Sequence, residues 1–229
     1  MEAQAAIAEL ILMDSLPAAR VTCAPRLIPG PGQYLLALAE GSAAPLATVL
    51  FAATLEPDGF VAAPPLPDAW RPGTHLSLRG PLGRGFILPP AARRIALVAC
   101  DSESRRLLPL LDPAFRQGAS VTLVCDRPPQ DLPLQVELQP SSAVADVCNW
   151  SDYAALDVDR QSLPALLARL GDGRRPTPMG RAQALVHTPM PCGGLAKCGV
   201  CTVKSRRGPQ LACEDGPVFD FDSLVVERQ

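Results

Sequence analysis

The chain has 229 residues, 48% of them hydrophobic and 19% charged, with a formal net charge of −2. That is enough apolar material for more than one small packed domain, and it excludes wholesale disorder, which needs low hydrophobicity and high net charge. The charge balance gives no basic footprint for nucleic acid, and no apolar run approaches the ~20 residues of a bilayer span. The opening MEAQAAIAELILM has no basic stretch and an acidic second residue, so it does not read as a secretory signal, and a cytoplasmic location is expected.

Residues 1–90 read as short strands, with candidates at 6–13, 18–23, 33–39, 47–53, 59–63 and 74–79. Turn signals separate them: IPGPG, EPDG and PPLPDAWRPG. Six short strands with frequent turns and no long amphipathic helix predict a small antiparallel barrel. The pattern changes at PPAARR. RIALVAC is a continuous apolar run of the kind a buried parallel strand shows. DSESRRLLPLLDPAF predicts a helix broken at Pro109 or Pro113. SVTLVC, PLQVEL and DYAALDV are further strands, and 162–170 is a short helix with Ser162 as N-cap and Pro164 in its first turn. Strands alternating with helical segments predict an α/β unit with a mainly parallel sheet. GDGRRPTPMG at 171–180 is a linker by composition, and RAQALVHTP is one more strand leading into a cysteine-rich end. The expected organisation is therefore α+β and multi-domain: a β-barrel over 1–90, an α/β domain over 91–178 and a small metal domain over 179–229.

Four of the eight cysteines, Cys23, Cys100, Cys125 and Cys148, sit in apolar contexts and read as buried free thiols. The other four, Cys192, Cys198, Cys201 and Cys213, have the spacing C-x5-C-x2-C-x11-C. Three thiolates come from one tight loop and the fourth from a segment returning after a hairpin. A [2Fe–2S] cluster needs four thiolates, two per iron, and plant-type ferredoxins draw three from a C-x4-C-x2-C loop. Gly193, Gly194, Ala196 and Gly199 are small enough for backbone N–H groups to approach cluster sulfides. Structural zinc is the alternative, although zinc ribbons pair two C-x2-C knuckles and one is present here. His187 reads as a strand residue rather than a ligand, and His75 has no assigned role.

The segment Met190–Phe219, with the pattern M-P-C-G…C-x-x-C…C-x-D-G-P-V-F, resembles the iron–sulfur domain of the electron-transfer subunit of type B dihydroorotate dehydrogenase. That family lies within the ferredoxin–NADP reductase superfamily. GPLGRGF at 80–86 and PGQYLL at 31–36 resemble the family's G-P-L-G-x-G-F and P-G-Q-F segments. The resemblance implies an electron-transfer subunit of a hetero-oligomeric oxidoreductase, with a catalytic partner and a [2Fe–2S] cluster on Cys192, Cys198, Cys201 and Cys213. The first cysteine spacing is one residue longer than the family's. The resemblance also makes FAD a candidate cofactor at Gly80, Pro81, Leu82, Gly83 and Gly85.

Two family motifs are missing. Where R-P-x-S should hold the flavin, this chain has AAPLATVLF at 43–51, with Pro45 and Thr48 as candidate remnants. Where a glycine-rich loop should follow the first α/β strand, it has CDSESRRLLP at 100–109. Asp101, Ser102 and Glu103 stand at that turn, and the C-G-P near the domain's end is replaced by DVDRQSLP, so NAD is not expected to bind. Direct oxidation of NAD(P)H is accordingly doubted. The alternative function is a degenerate reductase-fold subunit whose zinc site supports an assembly scaffold.

Overall fold

The structure, a computed structural model, describes residues 2–42, 44, 46–101, 104–170 and 181–225. Pro45, Ser102, Glu103 and the linker expected at 171–180 lie outside the described residues.

Six strands, β1 (Glu2–Met13), β2 (Leu16–Thr22), β3 (Tyr34–Ala39), β4 (Thr48–Glu56), β5 (Gly59–Ala62) and β6 (His75–Leu82), close into a barrel in the order β1-β2-β5-β4-β3-β6. They correspond to the six expected segments. β1 starts earlier than its apolar pattern suggested, because Glu2–Ala6 pair with His75–Arg79 of β6 and close the barrel. Inward residues follow the two-residue period of a strand: Ala5 and Ile7, Ala19 and Val21, Leu35 and Ala37, Leu50 and Ala52, Phe60 and Ala62, Leu76 and Leu78. Closure leaves no free strand edge for another chain to pair with.

The second unit is a sheet built on five parallel strands: β7 (Arg94–Ala99), β8 (Ser120–Val124), β9 (Val136–Gln139), β10 (Tyr153–Asp159) and β11 (Arg181–His187). A short hairpin of β12 (Thr202–Ser205) and β13 (Gly208–Leu211) follows, and β14 (Val218–Asp220) returns as an antiparallel edge strand. The sheet order is β14-β11-β10-β7-β8-β9. β11, grouped by sequence with the cysteine segment, pairs with β10 along its length, so the cluster segment grows out of this sheet and returns to it.

The segment after β7 is a 3-10 helix at Arg105–Leu110 running into α1 (Leu111–Arg116), with Pro109 inside the 3-10 part. The proline-broken helix expected there takes this form. α2 (Val144–Trp150) was not anticipated. It is short and carries β-branched residues, but Val144, Val147 and Cys148 are buried at helical spacing. α3 (Leu163–Leu170) starts where expected, with the Ser162 carbonyl accepting the Leu166 N–H. The Ser162 hydroxyl, however, donates to Asp101 Oδ1 at 2.7 Å.

Barrel and sheet meet through two adjacent arginines of the 3-10 segment. Arg105 donates to Asp14 Oδ2 at 2.9 Å, in the β1–β2 turn, and to Asp131 at 3.0 and 3.3 Å. Arg106 makes a two-point pair with Asp157 of β10, at 2.7 and 3.0 Å, and its guanidinium lies 5.9 Å from the Phe51 ring of β4. Both arginines and Asp157 are buried.

The turn after β6 joins barrel and cysteine segment. An alanine Cβ at Gly83 would come 2.6 Å from the Gly216 carbonyl oxygen, and one at Gly85 would come 2.6 Å from the Pro31 oxygen. Gly83 and Gly41 share a left-handed conformation, with φ of 72° and 71°, but Gly41 has nothing within 4 Å of its Cβ position. Gly41→Ala is expected to cost about 1–2 kcal/mol for the left-handed backbone. Gly83→Ala is expected to cost clearly more, because a backbone carbonyl must also move. Urea unfolding of the two variants side by side checks this difference.

Candidate metal centre

The cysteine segment leaves β11 at His187 and forms a loop that the barrel supports. Arg79 of β6 donates to the Gly193 carbonyl at 2.9 Å, and the Tyr34 hydroxyl of β3 donates to the Cys213 carbonyl at 3.0 Å. Tyr34 is fully buried, and burial raises its phenol above the ordinary range. A Cβ at Gly194 would lie 3.0 Å from the Tyr34 oxygen, so only a residue without a side chain lets the loop lie this close to β3. Arg160 donates to the carbonyls of Val200 and Thr202 and holds the loop from the sheet side.

The four cysteines expected as ligands come together in this loop. Cys201 and Cys213 are buried with their sulfurs 3.3 Å apart. Cys192 is half-buried and Cys198 exposed, and Cys198 is among the groups that lower the Cys192 thiol. Among the described residues, no three His, Cys, Asp or Glu side chains are arranged to hold one metal ion.

Backbone dipoles point at the sulfurs. N–H groups of Lys197, Leu195 and Cys198 donate to Cys192, and the Lys197 bond is the leading reason its thiol is lowered to about 6. Cys213 behaves oppositely: burial and the adjoining Cys201 thiol push it up to about 11, against the pull of the Ala196 N–H. The loop turns through left-handed conformations at Gly193, Gly194, Ala196 and Gly199 to aim these groups inward. Metal ligation needs thiolate, and amide donors stabilise charged sulfur. The donor set fits a thiolate-bound iron–sulfur cluster: four thiols in one segment, with backbone N–H groups acting on Cys192 and Cys213.

The remaining sequence candidates fall elsewhere. Cys23, Cys125 and Cys148 are buried and Cys100 is half-buried, and burial raises all four thiols, Cys148 to about 12. They are packing residues. His75 is exposed at the start of β6. His187 ends β11, with Nδ1 3.0 Å from Asp159 Oδ1 and its ring 6.1 Å from Phe51. Burial lowers its pKa. Gly80, Pro81 and Leu82 end β6, and Gly83 and Gly85 follow in the turn. The Arg84 N–H donates to the Gly216 carbonyl, which fastens this turn to the D-G-P-V-F segment. Gly83, Arg84 and Gly85 also line a cavity of about 490 Å³ together with Arg181 and Arg207.

Residues 187–225 match the family described as the iron-sulfur cluster binding domain of dihydroorotate dehydrogenase B. Among solved structures, an NADH-dependent reduced ferredoxin–NADP oxidoreductase, studied for flavin-based electron bifurcation, aligns over 96% of this chain and 89% of its own, with 16% identity and a TM-score of 0.71. Phthalate dioxygenase reductase, described as a modular structure for electron transfer from pyridine nucleotides to [2Fe–2S], aligns over 93% and 77%, with 12% identity and a TM-score of 0.56. Ferredoxin–NADP+ reductase from Plasmodium falciparum aligns over 76% and 90%, with 8% identity and a TM-score of 0.56.

The fold is therefore that of the ferredoxin reductases. The match at residues 187–225 is to the domain that the cysteine pattern led us to expect.

In metal-free protein the two extreme thiols should alkylate at different pH. Cys192, held near 6, is mostly thiolate at pH 7, whereas Cys213, near 11, is protonated there. Iodoacetamide labelling followed by mass spectrometry from pH 5 to 9 should show Cys192 modified first and Cys213 resisting throughout.

Proposed function

We propose that this chain holds a [2Fe–2S] cluster on Cys192, Cys198, Cys201 and Cys213 and serves as the electron-transfer subunit of a multisubunit oxidoreductase. The observation that carries this reading is the 3.3 Å approach of the Cys201 and Cys213 sulfurs beside a loop whose backbone N–H groups lower the Cys192 thiol. A [2Fe–2S] cluster requires two thiolates per iron, and Cys201 with Cys213 would supply those of one iron. When bound, such a cluster takes up and releases one electron at a time.

The residues around the thiols divide the loop into an inner and an outer side. Cys201 and Cys213 face the buried Tyr34, and the Tyr34 hydroxyl holds the Cys213 backbone in place. Cys192 and Cys198 belong to the side where Leu195 is 53% exposed and Val200 40%. Lys197 and Cys198 are exposed between them. Small apolar residues around an exposed ligand, with one lysine beside it, suit a face that a partner covers transiently. We assign the catalytic subunit to this face. Dihydroorotate is the substrate class suggested by the family of the cluster domain, and it would be handled by that partner.

Anaerobically purified protein should contain about two iron and two acid-labile sulfide per chain, by the cluster's composition. Dithionite should bleach its visible absorption. Cys201→Ser should lose most of the iron, whereas Cys125→Ser should keep it. A colourless protein with one zinc per chain, or an intact cluster in Cys201→Ser, would overturn the assignment.

A further inference from the structure

In an open α/β sheet, ligands bind outside the carboxyl ends of the strands, at the point where the strand order reverses. Here that point lies between β7 and β10, since the chain runs from β7 outward to β9 and then crosses back to β10. A dinucleotide placed there needs bare N–H groups at a turn and helix start to receive its pyrophosphate, and room beside the barrel for its reactive ring.

Side chains of the chain itself stand at both places among the described residues. Asp101, two residues beyond β7, spans the reversal point: its Oδ2 accepts the Asp159 N–H at 2.6 Å and its Oδ1 accepts the Ser162 hydroxyl at 2.7 Å. These donors, after β10 and at the start of α3, are taken by a carboxylate whose charge repels phosphate. Arg106 then fills the space between sheet and barrel. It is paired at two points to the buried Asp157 and lies over Phe51, whose ring centre is also 6.1 Å from that of His187. Arg105 fixes the same segment to the barrel hairpin through Asp14. The cavity left at the carboxyl ends of β7 and β8, beside α3, holds about 290 Å³, at the bottom of the ~300–1,000 Å³ range of ligand sites.

We infer that this crevice is a closed interdomain bolt and not a nicotinamide site: Asp101 and the Arg106–Asp157 pair occupy the positions that a dinucleotide would need. NAD(P)H gives up a hydride, two electrons together, and the described residues of this crevice offer it no seat. Reducing equivalents then come to the subunit from another redox protein. The inference concerns the crevice and does not depend on which metal centre the cysteines hold.

Three measurements on the full-length, metal-loaded protein test it. Equilibrium dialysis with 50 µM NADH or NADPH should show no retained nucleotide. Hydrogen–deuterium exchange should find the peptide over 104–111 as protected as β7 and β10. Arg106→Ala, which strands the buried Asp157, should lower the Tm by roughly 10 °C, and Arg106→Met with Asp157→Leu should recover most of that loss. Stoichiometric nucleotide binding by the wild type would overturn the inference, and so would fast exchange at 104–111, which would mean the segment opens. An unchanged Tm in Arg106→Ala would likewise remove the bolt. Iron and sulfide content, measured on the same samples, reports separately on the proposed cluster.

Discussion

The buried pair of Arg106 with Asp157 is the contact on which the arrangement of this molecule turns. A guanidinium and a carboxylate taken out of water repay their desolvation only when geometry is good, and here two hydrogen bonds of 2.7 and 3.0 Å and an aromatic face provide it. Burial pushes the Asp157 carboxyl upward, and the guanidinium opposes that push. Removing one partner of such a pair costs about 3–5 kcal/mol, because the other stays buried and uncompensated. The pair joins β10 of the sheet to the segment that rests on β4 of the barrel. With Arg105 reaching Asp14 and Asp131, it makes one body out of two domains.

That rigidity matters for the cysteine loop, which rests on both domains. β11 and β14 anchor its ends in the sheet, while Arg79 and Tyr34 hold its carbonyls from the barrel. A hinge between barrel and sheet would pull these supports apart and move Cys213, whose backbone hangs on Tyr34. The D-G-P-V-F and G-P-L-G-R-G-F segments belong to the same arrangement. Arg84 bridges to Pro217, and Gly83 leaves room for the Gly216 carbonyl. Two motifs remote in sequence therefore occur together because they pack together.

Much of this was legible in the sequence, for physical reasons that differ by region. The barrel strands carry apolar residues in a two-residue period and are separated by Gly- and Pro-rich turns, so both existence and order of elements could be read. The four clustered cysteines were legible because thiolates at that spacing have few other uses. The bolt was not. Arg105 and Arg106 stand in a stretch, SESRRLLP, that reads as a helix with a solvated face. Their burial depends on Asp14, Asp131 and Asp157, which are 91, 26 and 51 residues away. Nothing local announces such partners. The glycines of the 80–86 turn could be seen, but the backbone they admit belongs to Gly216 and Pro31, which only the folded chain reveals. α2 was hidden because its valines favour strands in isolation, and packing decides their helical state.

Cluster loop and crevice differ in what their backbones tolerate, and the difference bears on which chemistry this chain retains. In the loop, Ala196 adopts φ of 57°, a left-handed conformation that costs an alanine about 1–2 kcal/mol. The same residue directs its N–H at the Cys213 sulfur. Strain of this kind persists where the surroundings over-determine the backbone, and it gathers at functional sites. The crevice shows no comparable demand. Around it stand Asp101, Arg105 and Arg106, whose hydrogen bonds and ion pairs go to Asp159 and Ser162, to Asp14 and to Asp157. A region still shaped for a ligand keeps donors aimed at empty space; a region given over to stability pairs them internally. By that criterion the thiol loop is shaped for a ligand, and the barrel and sheet beneath it fix its geometry.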